Sequence, residues 1–142
     1  MKKTASAIIV LLFIALGSLA KNKDEQAIAA LLQAQVEQWN KGNIDGYMHG
    51  YWENDSLLFI GSKGPRYGYD VTLKRYKEAY PDTAHMGKLV STVTRMQRLS
   101  HNYYFIVGKW ELKRSVGDLS GSYTLLFRKI KRRWVIVADH SS

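Results

Sequence analysis

The chain has 142 residues, 46% apolar and 23% charged, with 11 Gly, only 2 Pro and a formal net charge of +9. This is the composition of one soluble domain large enough to bury a core, and it excludes a collagen-like repeat or a long disordered tail. No cysteine is present, which excludes disulfides, thiol nucleophiles, cysteine zinc sites, iron–sulfur clusters and lipoprotein-type acylation.

Residues 1–20 read as an export address. Lys2 and Lys3 give a positive start, Ala7 to Leu16 an apolar run, and Gly17-Ser18-Leu19-Ala20 a small-residue end, the three parts of a cleavable signal peptide. The apolar run is shorter than the ~20 residues that span a bilayer; an uncleaved N-terminal anchor is the alternative. The mature domain then covers 21–142, carries no membrane span, and is periplasmic or secreted.

Loss of Lys2 and Lys3 lowers the formal charge from +9 to +7. The remaining excess is spread over strand ends and turns with no nucleic-acid-binding motif. Lys129-Ile130-Lys131-Arg132-Arg133 reads as a solvated hairpin tip, so no nucleic-acid partner is expected.

Between Asn22 and Lys41, Ile28, Leu31, Leu32, Val36 and Trp39 recur at helical spacing and define one buried face. Asn22 and Glu25 resemble a capping box, and Gly42 a left-handed stop. Asn43 is placed to cap a short second helix through Ile44, Tyr47 and Met48, from which the chain leaves through Tyr51-Trp52. Ser56 to Ser62 reads as a buried strand, Gly64-Pro65 as a turn and Arg66-Tyr67 as the return. Asp70 is expected to cap a third helix that Pro81 ends. Leu89–Leu99, Tyr103–Arg114, Leu119–Ile130 and Trp134–His140 read as four long strands in three successive hairpins. Helices first and strands later give an α+β fold with the helices on one face of an antiparallel sheet.

Turn length sets which residues face each other across such hairpins. A two-residue turn at Lys131-Arg132 pairs Ile130 with Arg133 and so Tyr123 with His140. A four-residue turn at Ser115 to Asp118 pairs Trp110 with Tyr123, and a two-residue turn at His101-Asn102 pairs Val93 with Trp110. The predicted interior row is therefore Val93, Trp110, Tyr123 and His140, with Gly108 and Ala138 leaving room beside it. On this register Asp139 lies on the wetter opposite face, as a structural or dimer-interface residue.

The stretches Gln38-Trp39-Asn40-Lys41-Gly42-Asn43, Tyr51-Trp52, Phe59-Ile60-Gly61-Ser62 and Gly68, then Tyr123-Thr124-Leu125-Leu126-Phe127-Arg128-Lys129 and the ending from Trp134 to Ser142, resemble the NTF2-like superfamily. The nearest likeness is to its SnoaL-like and DUF4440 group of small exported domains. The resemblance covers nearly all of the mature chain and rests on the order and spacing of these segments. It implies a cystatin-like cone, a curved sheet wrapped around helices, an interior pocket, and a homodimer formed through the sheet. It fixes no activity, because isomerases, cyclases, dehydratases, transport factors and assembly domains share this fold.

Without cysteine or a cofactor motif, catalysis would rest on proton transfer, which needs a base and donors for a developing oxyanion. His140 beside Tyr123 is the first candidate pair, Asp55 at the cone mouth the second base, and Tyr67 and Tyr76 further donors. Trp52, Phe59, Tyr67, Tyr76 and Trp110 are candidate pocket walls, with core packing the competing role for each. His49, His85, His101 and His140 show no ligand spacing, and no metal or other cofactor is predicted. The function expected first is a binding domain that holds a small apolar or aromatic ligand in the interior pocket, with no demonstrable catalytic motif; the alternatives are a cofactor-independent isomerase, cyclase or dehydratase working by proton transfer, and a dimeric assembly module.

Overall fold

The computed structural model describes the backbone of residues 5–142 and the side chains of residues 23–142, so the export address predicted over 1–20 lies outside the residues described in full. One helix, α1 (Ala5–Asn40), passes straight through Asn22 and Glu25, and the capping box read there opens no helix. Its inner face buries Ile28, Gln35 and Trp39. Gly42 stops it at φ +77°, a conformation that costs glycine little. Asn43 caps α2 (Ile44–Met48), its side chain accepting from the Gly46 amide at 3.0 Å.

Strands β1 (Leu58–Gly61) and β2 (Gly64–Tyr67) form a hairpin closed by Gly61 opposite Gly64, so the turn is Ser62-Lys63 and not Gly64-Pro65. Helix α3 (Tyr69–Ala79) is entered through Gly68 at φ +102°. Asp70 is no cap; it sits in the first turn, where a carboxylate complements the helix dipole. A short α4 (Thr83–Met86), absent from the sequence reading, follows Pro81, with the Asp82 side chain accepting from the His85 amide at 2.9 Å.

The four long strands are β3 (Lys88–Ser100), β4 (Tyr103–Lys113), β5 (Leu119–Ile130) and β6 (Arg133–Ser141). All six strands join one sheet in the order β2-β1-β6-β5-β4-β3. The sheet is mixed, not purely antiparallel, because β1 runs parallel to β6. Helix α1 meets the opposite edge at β3, where Asn40 exchanges two hydrogen bonds with the Leu89 backbone at 2.7 and 3.2 Å. The core lies between the helices and the concave sheet face, with Ile28, Met48, Leu57, Ile106, Phe127 and Ile136 fully buried.

The registers depart from prediction in three places. Leu112, not Arg114, faces Leu119, which sets Trp110 opposite Gly121 and Tyr123 opposite Gly108. Ser91, not Val93, faces Trp110. Both slips are even, so Trp110 and Tyr123 keep the interior face. The third is odd. Phe127 pairs with Ile136 as predicted, but Leu126 pairs with Ala138, and Val137 is an extra residue in β6. This bulge turns every later side chain over: Asp139 faces inward opposite Leu125, while His140 and Ala138 face outward.

Among the described residues no helix is long and apolar enough to cross a membrane.

Candidate functional site

The cone encloses a cavity of about 430 Å³, within the size range of small-molecule sites. Its walls are largely aromatic: Trp39 from α1, Tyr47 and Tyr51 from α2 and its exit, Phe59 from β1, Tyr76 from α3, and Trp110 and Tyr123 from the sheet. Trp39 stands edge-on to Tyr47, Tyr76 and Tyr80 with ring centroids 5.1, 6.0 and 4.9 Å away, the geometry favoured by ring quadrupoles. Its indole Nε1 donates to the Met86 carbonyl at 3.0 Å.

Among the described residues one side-chain carboxylate lines this hollow, that of Asp139, only 4% exposed. The Tyr51 hydroxyl donates to Oδ2 at 2.6 Å and the Ser141 hydroxyl to Oδ1 at 2.8 Å. Tyr47 and Tyr76 carry the network outward, their hydroxyls 3.3 and 3.4 Å from that of Tyr51. Burial pushes the Asp139 carboxyl up to about 6, against the opposing pull of the Tyr51 and Ser141 hydrogen bonds and the nearby His140. Burial and the Asp139 charge push the Tyr47 phenol up to about 12 and hold Tyr51 and Tyr76 well above the ordinary tyrosine range. At neutral pH the cluster is therefore an ionised base surrounded by protonated phenols. A second polar pair, Tyr123 hydroxyl and Ser91 Oγ at 3.0 Å, stands on the sheet wall.

Phe59, Tyr76, Trp110 and Tyr123 line the hollow. Trp52 and Tyr67 lie outside its lining, and Tyr67 is 62% exposed at the sheet edge. Asp55 is exposed ahead of β1, and His140 is exposed on the outer face opposite Thr124. The predicted His140–Tyr123 pair is not formed, and the base facing the phenols is its chain neighbour. Asp139, Tyr47 and Tyr51 are not among the sequence-predicted site residues; the spacing of Tyr47 and Tyr51, one helical turn apart at the exit of α2, could have found the two tyrosines but not the carboxylate.

An NTF2-like protein of unknown function from Shewanella oneidensis MR-1 superposes with a TM-score of 0.80 at 44% identity, over 84% of this chain and 98% of that one. A ketosteroid isomerase-like protein from Erwinia carotovora atroseptica (TM-score 0.63, 17% identity, 82% and 93% of the two chains) and a type 2 hexachlorocyclohexane dehydrochlorinase (0.72, 16%, 88% and 88%) share the fold. No family model matches the chain, and no curated protein does. The molecule is thus an α+β cone with an aromatic interior cavity. It belongs to the NTF2-like family.

The Asp139 shift has a thermodynamic sign. With a native midpoint of about 6 against an ordinary 3.8, the native state holds the extra proton between about pH 4 and pH 6, so stability falls as pH rises through that window. Holding the charge above it costs about 3 kcal/mol, at 1.36 kcal/mol for each unit of displacement. Asp139→Asn keeps the size and removes the charge, exchanging one acceptor oxygen for an NH2 that can donate to the Tyr51 or Ser141 hydroxyl oxygen. Urea denaturation should find the variant at least as stable as the parent above that window, and flat within it; a loss of more than about 2 kcal/mol would contradict the assigned environment.

Proposed function

We propose that the protein binds a small, mainly apolar molecule in the hollow and moves a proton on it without a cofactor, as an isomerase or a lyase does. The observation that carries this reading is the Asp139 carboxylate, walled by aromatic rings and 2.6 Å from the Tyr51 hydroxyl. A pocket built only to retain an apolar ligand gains nothing from a buried charge, whereas a general base needs a midpoint near its working pH. An open cavity of about 430 Å³ also speaks against a filled, purely structural interior.

The chemistry follows from the direction of the hydrogen bonds. While Asp139 is ionised, Tyr51 must donate to it, and the Tyr51 oxygen is left to accept from one of Tyr47 and Tyr76, while the other keeps its single hydroxyl proton for a bound molecule. A carbon acid seated against this cluster gives its proton to Asp139, and its electron pair moves onto the adjoining carbonyl oxygen. Tyr47 or Tyr76 donates to that oxyanion. The proton then returns to a different carbon, or a leaving group departs with the electron pair. Two neighbours of the same fold carry the names ketosteroid isomerase-like protein and dehydrochlorinase; these names agree with the reading, and the likeness itself contributes the fold alone.

Tetralone, an uncharged ring ketone, provides the direct probe. Its α-hydrogens should exchange in deuterated buffer at least about tenfold faster with the protein than without, as one well-placed base contributes at least that factor. Asp139→Asn should return the rate to background. Equal rates for the two proteins, or no acceleration by the parent, would end this reading.

We further propose that the chain is exported, starts near Lys21 after cleavage, falls in the SnoaL-like and DUF4440 group, and pairs through the outer sheet face. There Phe105, Val107, Leu126 and Val135 are half-buried and apolar. Native mass spectrometry of protein from its own host reads start, subunit number and retained ligand together. A monomer, or a mass that still includes residues 1–20, would overturn the corresponding part.

A further inference from the structure

Building on the reading that the hollow holds a small molecule, we propose that this molecule carries one carboxylate, gripped at the rim by Arg66 and Arg75 with Lys63 beside them, and an apolar body directed at the tyrosine cluster. Those three cations line the same cavity as Asp139. They come from three places in the chain: Lys63 from the β1–β2 turn, Arg66 from β2, and Arg75 from α3. Arg66 stands directly across the hairpin from Phe59, whose ring packs on Tyr76 at 5.6 Å, and Arg75 precedes Tyr76 on the helix. Strand register thus sets Arg66 beside Phe59, and Arg75 is the chain neighbour of Tyr76 on α3.

Their charges are not spent within the protein. Among the described residues Lys63 and Arg66 stand in no ion pair, and Arg75 has only Glu78 at 3.9 Å, a residue that also faces Lys74 at 3.9 Å. Asp139 forms no ion pair with any of them, and its oxygens accept from Tyr51 and Ser141. Arg66 is only partly exposed and the Arg75 side chain 35% exposed. A long cationic side chain in such a place can lay its apolar stem along a wall and keep its charged head in water.

Field lines concentrate in a cleft with low-dielectric walls, so a rim of one sign draws a ligand of the other. A guanidinium fork matches the two oxygens of a carboxylate. The same electrostatics orient the ligand. Its anionic head is repelled from ionised Asp139 and held at the rim, which leaves the uncharged end to meet Tyr51, Tyr47 and Tyr76.

Calorimetric titration of naphthoate and its neutral counterpart naphthamide, above the Asp139 midpoint, tests this without altering the protein. Naphthoate should bind about tenfold more tightly at low salt, and the advantage should shrink as salt rises. Arg66→Gln and Arg75→Gln should each erode that preference by weakening naphthoate more than naphthamide, and Arg66→Lys should restore part of it. Equal affinity for the two probes would overturn the charged-ligand assignment and leave the apolar hollow standing. Tighter binding of naphthyl phosphate than of naphthoate would overturn the choice of carboxylate. Failure of every probe to bind would remove the hollow itself as a ligand site.

Discussion

The site depends on one extra residue in the last strand. Up to Ile136 the path of β6 is fixed from both sides, by Phe127 on β5 and by two 2.9 Å backbone bonds that tie Ile136 to Gly50 and Trp52. Val137 is then accommodated without a partner, and the strand resumes with opposite facing. A regular strand would put an imidazole among the tyrosines and a carboxylate in solvent. The bulged strand does the reverse, and it does so where β1 joins β6 as a parallel neighbour through Ala138, Asp139 and His140. The pairing on both sides holds the inward carboxylate in place despite its desolvation.

Around that carboxylate the molecule builds a donor network with little freedom to rearrange. Tyr47, Tyr51 and Tyr76 share hydroxyl contacts, and Trp39 wedges against two of them while its own N–H is held by α4. Such a preorganised set of dipoles can stabilise charge that develops on a bound molecule without first reorienting. Protonation reverses its direction: a neutral Asp139 can donate to Tyr51, which then donates outward. The same cavity is lined by Lys63, Arg66 and Arg75 as well as by Asp139, so it carries charges of both signs. The small residues that frame it also matter. A Cβ on Gly108 would run into the Tyr123 ring, so the phenol can stand over β4 only because that position has no side chain.

Much of the architecture was legible in the chain. The face of α1, the stop at Gly42, the Asn43 cap, the termination at Pro81 and all four long strands follow from periodicity and capping chemistry. Trp110 and Tyr123 were placed on the right face although both were given the wrong partners, because slips of two residues preserve facing. Asp139 was misplaced for a definite reason. Trp134-Val135-Ile136-Val137-Ala138 is apolar at every position, so no alternation marks which residues point inward, and an extra residue within the run leaves no trace in the pattern. His140 then looked like the better base on chemical grounds alone. Tyr67 stands outside the hollow because β2 lies at the sheet edge, which turn residues do not reveal, and Asp55 lies exposed in the segment ahead of β1.

The most direct measurement of the central claim is the carboxyl carbon chemical shift of Asp139, followed against pH in protein labelled at aspartate. Its midpoint is expected at about 6, and higher still in Tyr51→Phe, which removes a hydrogen bond that favours the ionised form. A midpoint in the ordinary aspartate range, unmoved by Tyr51→Phe, would mean that this carboxylate meets water and that the bulge does not deliver it to the cavity.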